Sequence, residues 1–99
     1  PSADIQAAEQ AIVEANRSDV ADYSSDELDN AREKLTAAIS AVQSENMDKA
    51  QRLAQQSRVD AQLASARAEV AKAESDNQEM QKSIDMLKLE IQRITGEKI

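Results

Sequence analysis

The sequence predicts an all-α chain of three helices, over about residues 2–17, 24–44 and 47–95, and three observations carry that expectation. Apolar residues recur at steps of three and four through most of the length. One Gly and one Pro in 99 residues leave almost nothing to punctuate strands or to build a phosphate-cradling loop. Hydrophobic residues make up 40% of the chain, but eighteen of them are Ala. Each Ala offers roughly three fewer carbons than a Leu for burial, about 2.4 kcal/mol at about 0.8 kcal/mol per methylene. The core must be thin, and an elongated helical body fits it better than a globule.

The first helix places Ile5, Ala8, Ile12 and Ala15 on one stripe, from Ser2, a residue suited to the N-cap, to about Arg17. Ser18, Asp19 and Asp22 are turn formers and break the rhythm before Tyr23. The second helix opens with Ser24-Ser25-Asp26-Glu27, a capping box. In that motif the Ser24 hydroxyl accepts from the Glu27 amide and the Glu27 carboxylate reaches back to the Ser24 amide. Tyr23 and Leu28 occupy the positions of the matching hydrophobic staple. Leu28, Ala31, Leu35, Ala38, Ile39 and Val42 then form the buried stripe, and Leu28, Leu35, Ile39 and Leu53 are expected to carry the bundle. Glu45-Asn46 is the turn, with Asn46 suited to the left-handed conformation and Asp48 to capping the third helix.

The third segment has no Gly or Pro between Met47 and Thr95. As one helix it would extend about 75 Å, more than the first two helices could cover. Two stripes run along it. Ala50, Ala54, Ser57, Ala61, Ala64, Ala68, Ala71 and Ser75 form a small-residue face that lets other helices approach closely. On another side one heptad register holds from Val59 onward. Leu63, Val70, Asn77, Ile84 and Ile91 are its a positions, and Val59, Ala66, Ala73, Met80, Leu87 and Ile94 its d positions.

The expected organisation is therefore a three-helix Ala-rich bundle over residues 1–75, with residues 76–99 as a coiled-coil stalk. The self-association seam is Asn77, Met80, Ile84, Leu87, Ile91 and Ile94. An apolar patch of this kind is rarely left uncovered on a monomer, so a homodimer through the C-terminal half of the long helix is expected. Asn77 could pair across the axis and fix the register, or mark where the seam stops being buried in the polar stretch Ser75-Asp76-Asn77-Gln78. Parallel and antiparallel pairings both stay open. Glu79/Lys82, Asp85/Lys88 and Glu90/Arg93 lie three apart as surface pairs.

Charge and composition exclude several functions. The formal charge of −7 sits in the first thirty residues, where eight acids face Arg17 alone. That field has the wrong sign for a nucleic acid or an anionic membrane, and no Trp or Phe is present to anchor an interfacial helix. No stretch is long and apolar enough to span a bilayer. With neither His nor Cys, the usual general bases, nucleophile pairs and zinc or haem ligands are missing. The acidic run Asp19, Asp22, Asp26, Glu27 and Asp29 lacks the alternate spacing and central Gly of a calcium loop, and reads as a solvated turn feeding a helix N-terminus. No catalytic residue, metal ligand or cofactor is expected, and the chain reads as non-enzymatic.

The stretch Tyr23-Ser24-Ser25-Asp26-Glu27-Leu28, followed by Ala31, Lys34, Leu35 and Ala38, then Ala50, Leu53-Ala54, Asp60-Ala61 and Leu63-Ala64, resembles a known family over roughly residues 5–75. That family is a set of Ala-rich helical domains of unknown function in Gram-negative envelope lipoproteins, often N-terminal to an OmpA-like peptidoglycan-binding domain. The most specific part is the Tyr-x-x-x-Glu-Leu entry to the second helix. Ser25 stands where the family often has Pro, and Glu45-Asn46 where it tends to have Gly. The resemblance implies a periplasmic, outer-membrane-anchored lipoprotein, touching the membrane only through a lipid anchor outside this chain. It also implies a lipidated Cys upstream of Pro1 and a further domain beyond Gly96-Glu97-Lys98-Ile99. The expected function is a scaffold that spaces or dimerises a lipoprotein between outer membrane and cell wall, with an envelope protein as a further candidate partner. The alternative is a tetratricopeptide-like adaptor for a protein or peptide, since the hairpin of the second and third helices is similar to a single such unit.

Overall fold

The computed structural model describes residues 2–17 and 20–96. Its helices are α1 (Ser2–Arg17), α2 (Val20–Tyr23), α3 (Ser25–Gln43) and α4 (Met47–Thr95), and no strand occurs among the described residues. The three long helices match the sequence expectation. The additional single turn α2 occupies part of the stretch read as a break, and the turn formers Ser18 and Asp19 lie outside the described residues. Two compact units divide the chain, one ending at Glu69 and the other beginning at Val70.

The first unit is packed mainly through alanine. Ala8, Ile12 and Ala15 of α1, Val20 of α2, Leu28, Ala31, Ala38 and Ala41 of α3, and Ala50, Ala54, Ala61, Ala64 and Ala68 of α4 are buried. Ile12, Ala15, Val20, Leu28, Ala31, Ala61, Ala64 and Ala68 form one cluster, with Ala11 and Leu35 packed against it. The small-residue face of α4 thus receives the shorter helices, as its spacing predicts. Ile39, expected in the core, is exposed. The buried line of α3 runs through Ala38 and Ala41, and Ile39 lies about 100° round the helix from Ala38.

Polar contacts tie the shorter helices to one another and to α4. The buried Ser57 hydroxyl donates to the Ala31 carbonyl at 2.6 Å. Lys34 Nζ pairs with Asp60 at 2.6 Å and Arg67 with Glu27 at 2.6 Å, each joining α3 to α4. Arg32 donates to Asn16 Oδ1 at 2.6 Å, joining α3 to α1, and also pairs with Asp29.

The helix ends differ from their sequence reading in four respects. Ser24 takes the N-cap backbone position of α3, its carbonyl accepting from the Leu28 amide at 3.1 Å, but its hydroxyl makes no cap hydrogen bond. That hydroxyl is buried without a partner, the backbone at φ −143° and ψ 42° departing from the extended cap conformation; the other half of the box is also missing, since Glu27 accepts from Arg67 and the Ser24 amide donates to Val20 O. Tyr23, expected to staple against Leu28, is exposed, and Val20 shares the core with Leu28 in its place. At the other end of α3 the left-handed residue is Glu45, at φ 60°, rather than Asn46. Asn46 N–H donates to Ala41 O and Glu45 N–H to Val42 O, the two bonds of a Schellman turn. Asn46 is thereby freed to cap α4, its Oδ1 accepting from the Lys49 amide at 3.3 Å, the role assigned to Asp48 from sequence.

Candidate functional site

The first unit has no enclosed chamber among its described depressions. One groove is lined by Ile5, Val42 and Met47, another by Lys34, Arg52, Val59 and Asp60, and both open to solvent. No group of three or more His, Cys, Asp or Glu among the described residues could hold a metal ion. Glu27 and Glu90 are both held below the ordinary carboxylate range. The hydrogen bond from Arg67 is the main cause for Glu27, and that from Arg93 for Glu90.

The residues of the expected seam lie in the second unit. Asn77, Met80, Ile84, Leu87, Ile91 and Ile94 all lie on α4 and all are exposed, the apolar ones from 39% at Ile84 to 69% at Ile94. They alternate by three and four residues along one side of a single helix, so each large side chain stands one turn from the next. No residue from Val70 to Gly96 is buried, and only Ala71, Ser75 and Gln92 are partly covered. In the first unit the same heptad register continues through Val59 and Leu63, which are exposed while the neighbouring Ala61 and Ala64 are fully buried.

The surface polar pairs are mixed. Glu90 and Arg93 pair, and Asp85 accepts from Gln81 Nε2 at 3.0 Å. The sequence reading missed Met86 and Leu89, both exposed and both off the heptad positions. On a helical wheel they fall on the side away from Ile84 and Leu87, and a search of the a and d positions alone passes over them. At the end of the helix Gly96 adopts φ 74° and its N–H donates to Gln92 O at 2.7 Å, a left-handed stop that suits Gly. No described helix is long and apolar enough to cross a membrane.

These features define an all-α domain whose buried helix faces are built mainly from Ala and whose long helix exposes an apolar seam. The chain belongs to the family described as Domain of unknown function (DUF4398), whose model matches residues 3–80. The match takes in α1 to α3 and α4 as far as Met80. No curated protein and no solved structure matches the chain.

Proposed function

We propose that this domain is a non-enzymatic scaffold of the bacterial cell envelope that associates with a second copy through the seam of α4. The observation that carries the reading is the set of large apolar side chains, Met80, Ile84, Leu87, Ile91 and Ile94, left exposed along one side of one helix. A patch of that kind marks an interaction surface on a soluble domain. Helical stability in water also comes mostly from packing an apolar face, and none of the described residues from Val70 onward is buried. Fully burying each of these side chains contributes about 1.5–3 kcal/mol, which a paired helix would supply from both copies. The envelope setting is supported by the resemblance of residues 5–75 to lipoprotein domains. In it, the bundle would follow a lipid anchor and α4 would space that anchor from a wall-binding domain.

Sedimentation equilibrium of the intact chain tests the association. A reversible dimer in the micromolar range is expected, with Leu87→Lys/Ile91→Lys monomeric and of unchanged helical content at residues 2–69. A strictly monomeric intact chain at high micromolar concentration would overturn the reading. Fractionation of the native gene product after labelling with a radioactive fatty acid tests the envelope setting. Label in the outer-membrane fraction is expected, and an unlabelled cytosolic product would refute that part.

A further inference from the structure

We infer that the segment from Val20 to Leu28 has two mutually exclusive packings, and that the Glu27–Arg67 ion pair between α3 and α4 holds it in the one observed. The segment carries every part of a second helix start. Ser24 and Glu27 can close a capping box, and Tyr23 and Leu28 a hydrophobic staple. In the structure none of these partners meets the other. The Ser24 hydroxyl is buried and has no hydrogen-bond partner among the described residues. The Ser24 N–H, which the Glu27 carboxylate would take in a box, donates instead to Val20 O at 2.6 Å. That carboxylate accepts from Arg67 at 2.6 Å. Tyr23 is exposed, and Val20 shares the core cluster with Leu28.

The two packings exclude each other through Glu27 and Val20. Turning Ser24 from ψ 42° into the extended range of a capping residue brings its hydroxyl to the Glu27 N–H and ends its burial without a partner. For the carboxylate to reach the Ser24 N–H it must leave Arg67, and Val20 O must give that N–H up. The single turn α2 then opens, Val20 leaves the cluster and Tyr23 can take its place against Leu28. The Ser24 carbonyl accepts from Leu28 N–H in either packing, so α3 keeps its start. Helix α2 is thus a strap whose position depends on the junction of α3 and α4. The Arg67 side chain, 60% exposed, is the part of that junction open to solvent.

The chain has no Cys, so Val20→Cys supplies a single thiol, and its alkylation by iodoacetamide reads how often α2 opens. Arg67→Gln and Glu27→Ala, each placed in that background, cut the same ion pair, but only Arg67→Gln leaves a carboxylate for the box. Arg67→Gln is expected to speed alkylation about tenfold, the worth of one hydrogen bond to a charged group, and Glu27→Ala by less than about threefold. The Arg67→Gln/Glu27→Ala pair together should fall back to the Glu27→Ala rate. Adding Ser24→Ala to Arg67→Gln should slow alkylation, whereas losing an ordinary cap would speed it. Equal rates for Arg67→Gln and Glu27→Ala would overturn the inference and leave the pair a simple tie. So would alkylation that rises with urea as steeply as unfolding of the first unit, which is the mark of global opening. Tyr23, the one aromatic residue, gives a second readout in chains that keep Val20. Its acrylamide quenching should fall in Arg67→Gln and not in Glu27→Ala, and unchanged quenching in Arg67→Gln would overturn the exchange of Tyr23 for Val20.

Discussion

Helix α4 is used in two ways on either side of Glu69. Up to that residue its buried positions are Ala50, Ala54, Ser57, Ala61, Ala64 and Ala68, and α1 to α3 supply the other side of the core. From Val70 onward nothing is buried among the described residues, although this stretch holds Met80, Ile84, Met86, Leu87, Leu89, Ile91 and Ile94. Large apolar residues thus concentrate where the chain itself has no core, and the core is filled by the smallest apolar side chain. An Ala contributes little transfer free energy on burial, but it lets backbones approach, so dispersion along the whole contact line does what a few large side chains do elsewhere. Polar ties such as Ser57 to the Ala31 carbonyl then register one helix on another. In the second stretch the arrangement is reversed: large apolar side chains are present and no described residue buries them.

The largest test of this contrast removes the same atoms from each side. Leu28 is fully buried and Leu87 is 62% exposed. Leu28→Ala should cost about 2–5 kcal/mol of unfolding free energy in urea, as for other buried Leu truncations. Leu87→Ala should change the unfolding of the first unit by less than about 0.5 kcal/mol, as surface changes do, while weakening self-association in sedimentation. Equal losses from the two variants would break the distinction.

The opposite change gives a smaller effect of contrasting sign. Ala61 is completely buried, and Ala73 lies exposed at a d position of the seam. Ala61→Leu should force the closely approaching helices apart and cost about 1–3 kcal/mol. Ala73→Leu inserts the same atoms where nothing within the chain opposes them. Its expected result is undiminished stability of the bundle and tighter association, read by denaturation and sedimentation on the same samples.

The helices and the covered face of α4 were largely legible in the sequence, because they are written in periodicity. The step pattern of small residues placed the face of α4 that α1 to α3 cover, and the extents of the long helices follow from caps, turns and the lack of Gly and Pro. What escaped is the choice made by single residues with two local options. Glu27 satisfies the capping-box pattern, but it is drawn to Arg67, forty positions away, and no local pattern carries that information. Val20 sits in a stretch read as a turn and becomes core because one helical turn there aims it at Leu28. Glu45 and Asn46 divide the turn differently from their propensities because Asn46 is more useful as the cap of α4. In the candidate seam, every residue named from the heptad register is exposed on one helix, while Met86 and Leu89 fall off that register.

The smallest effect separates the two ion pairs that displace a carboxylate. The Arg67 hydrogen bond, and secondarily a backbone N–H, hold the Glu27 carboxyl below its ordinary range, and this pair joins α3 to α4. Arg93 does the same for Glu90, but three residues away on one helix. A carboxyl whose folded value lies below its unfolded value, about 4.3, stabilises fully above that pH and progressively less as the pH falls through the folded value. The urea midpoint of the first unit should therefore be level from pH 7 to about 5 with respect to Glu27 and decline below about pH 4.3. Glu27→Gln should lower the midpoint slightly at neutral pH and flatten that part of the acid decline, by less than the Ala61→Leu effect because the pair is solvent-screened. Glu90→Gln should leave the profile of the first unit unchanged, since its partner lies on the same turn of the same helix and no contact between helices is lost. A profile that Glu27→Gln does not alter would show that α3 is held to α4 by the alanine face and the Ser57 hydrogen bond without help from this pair.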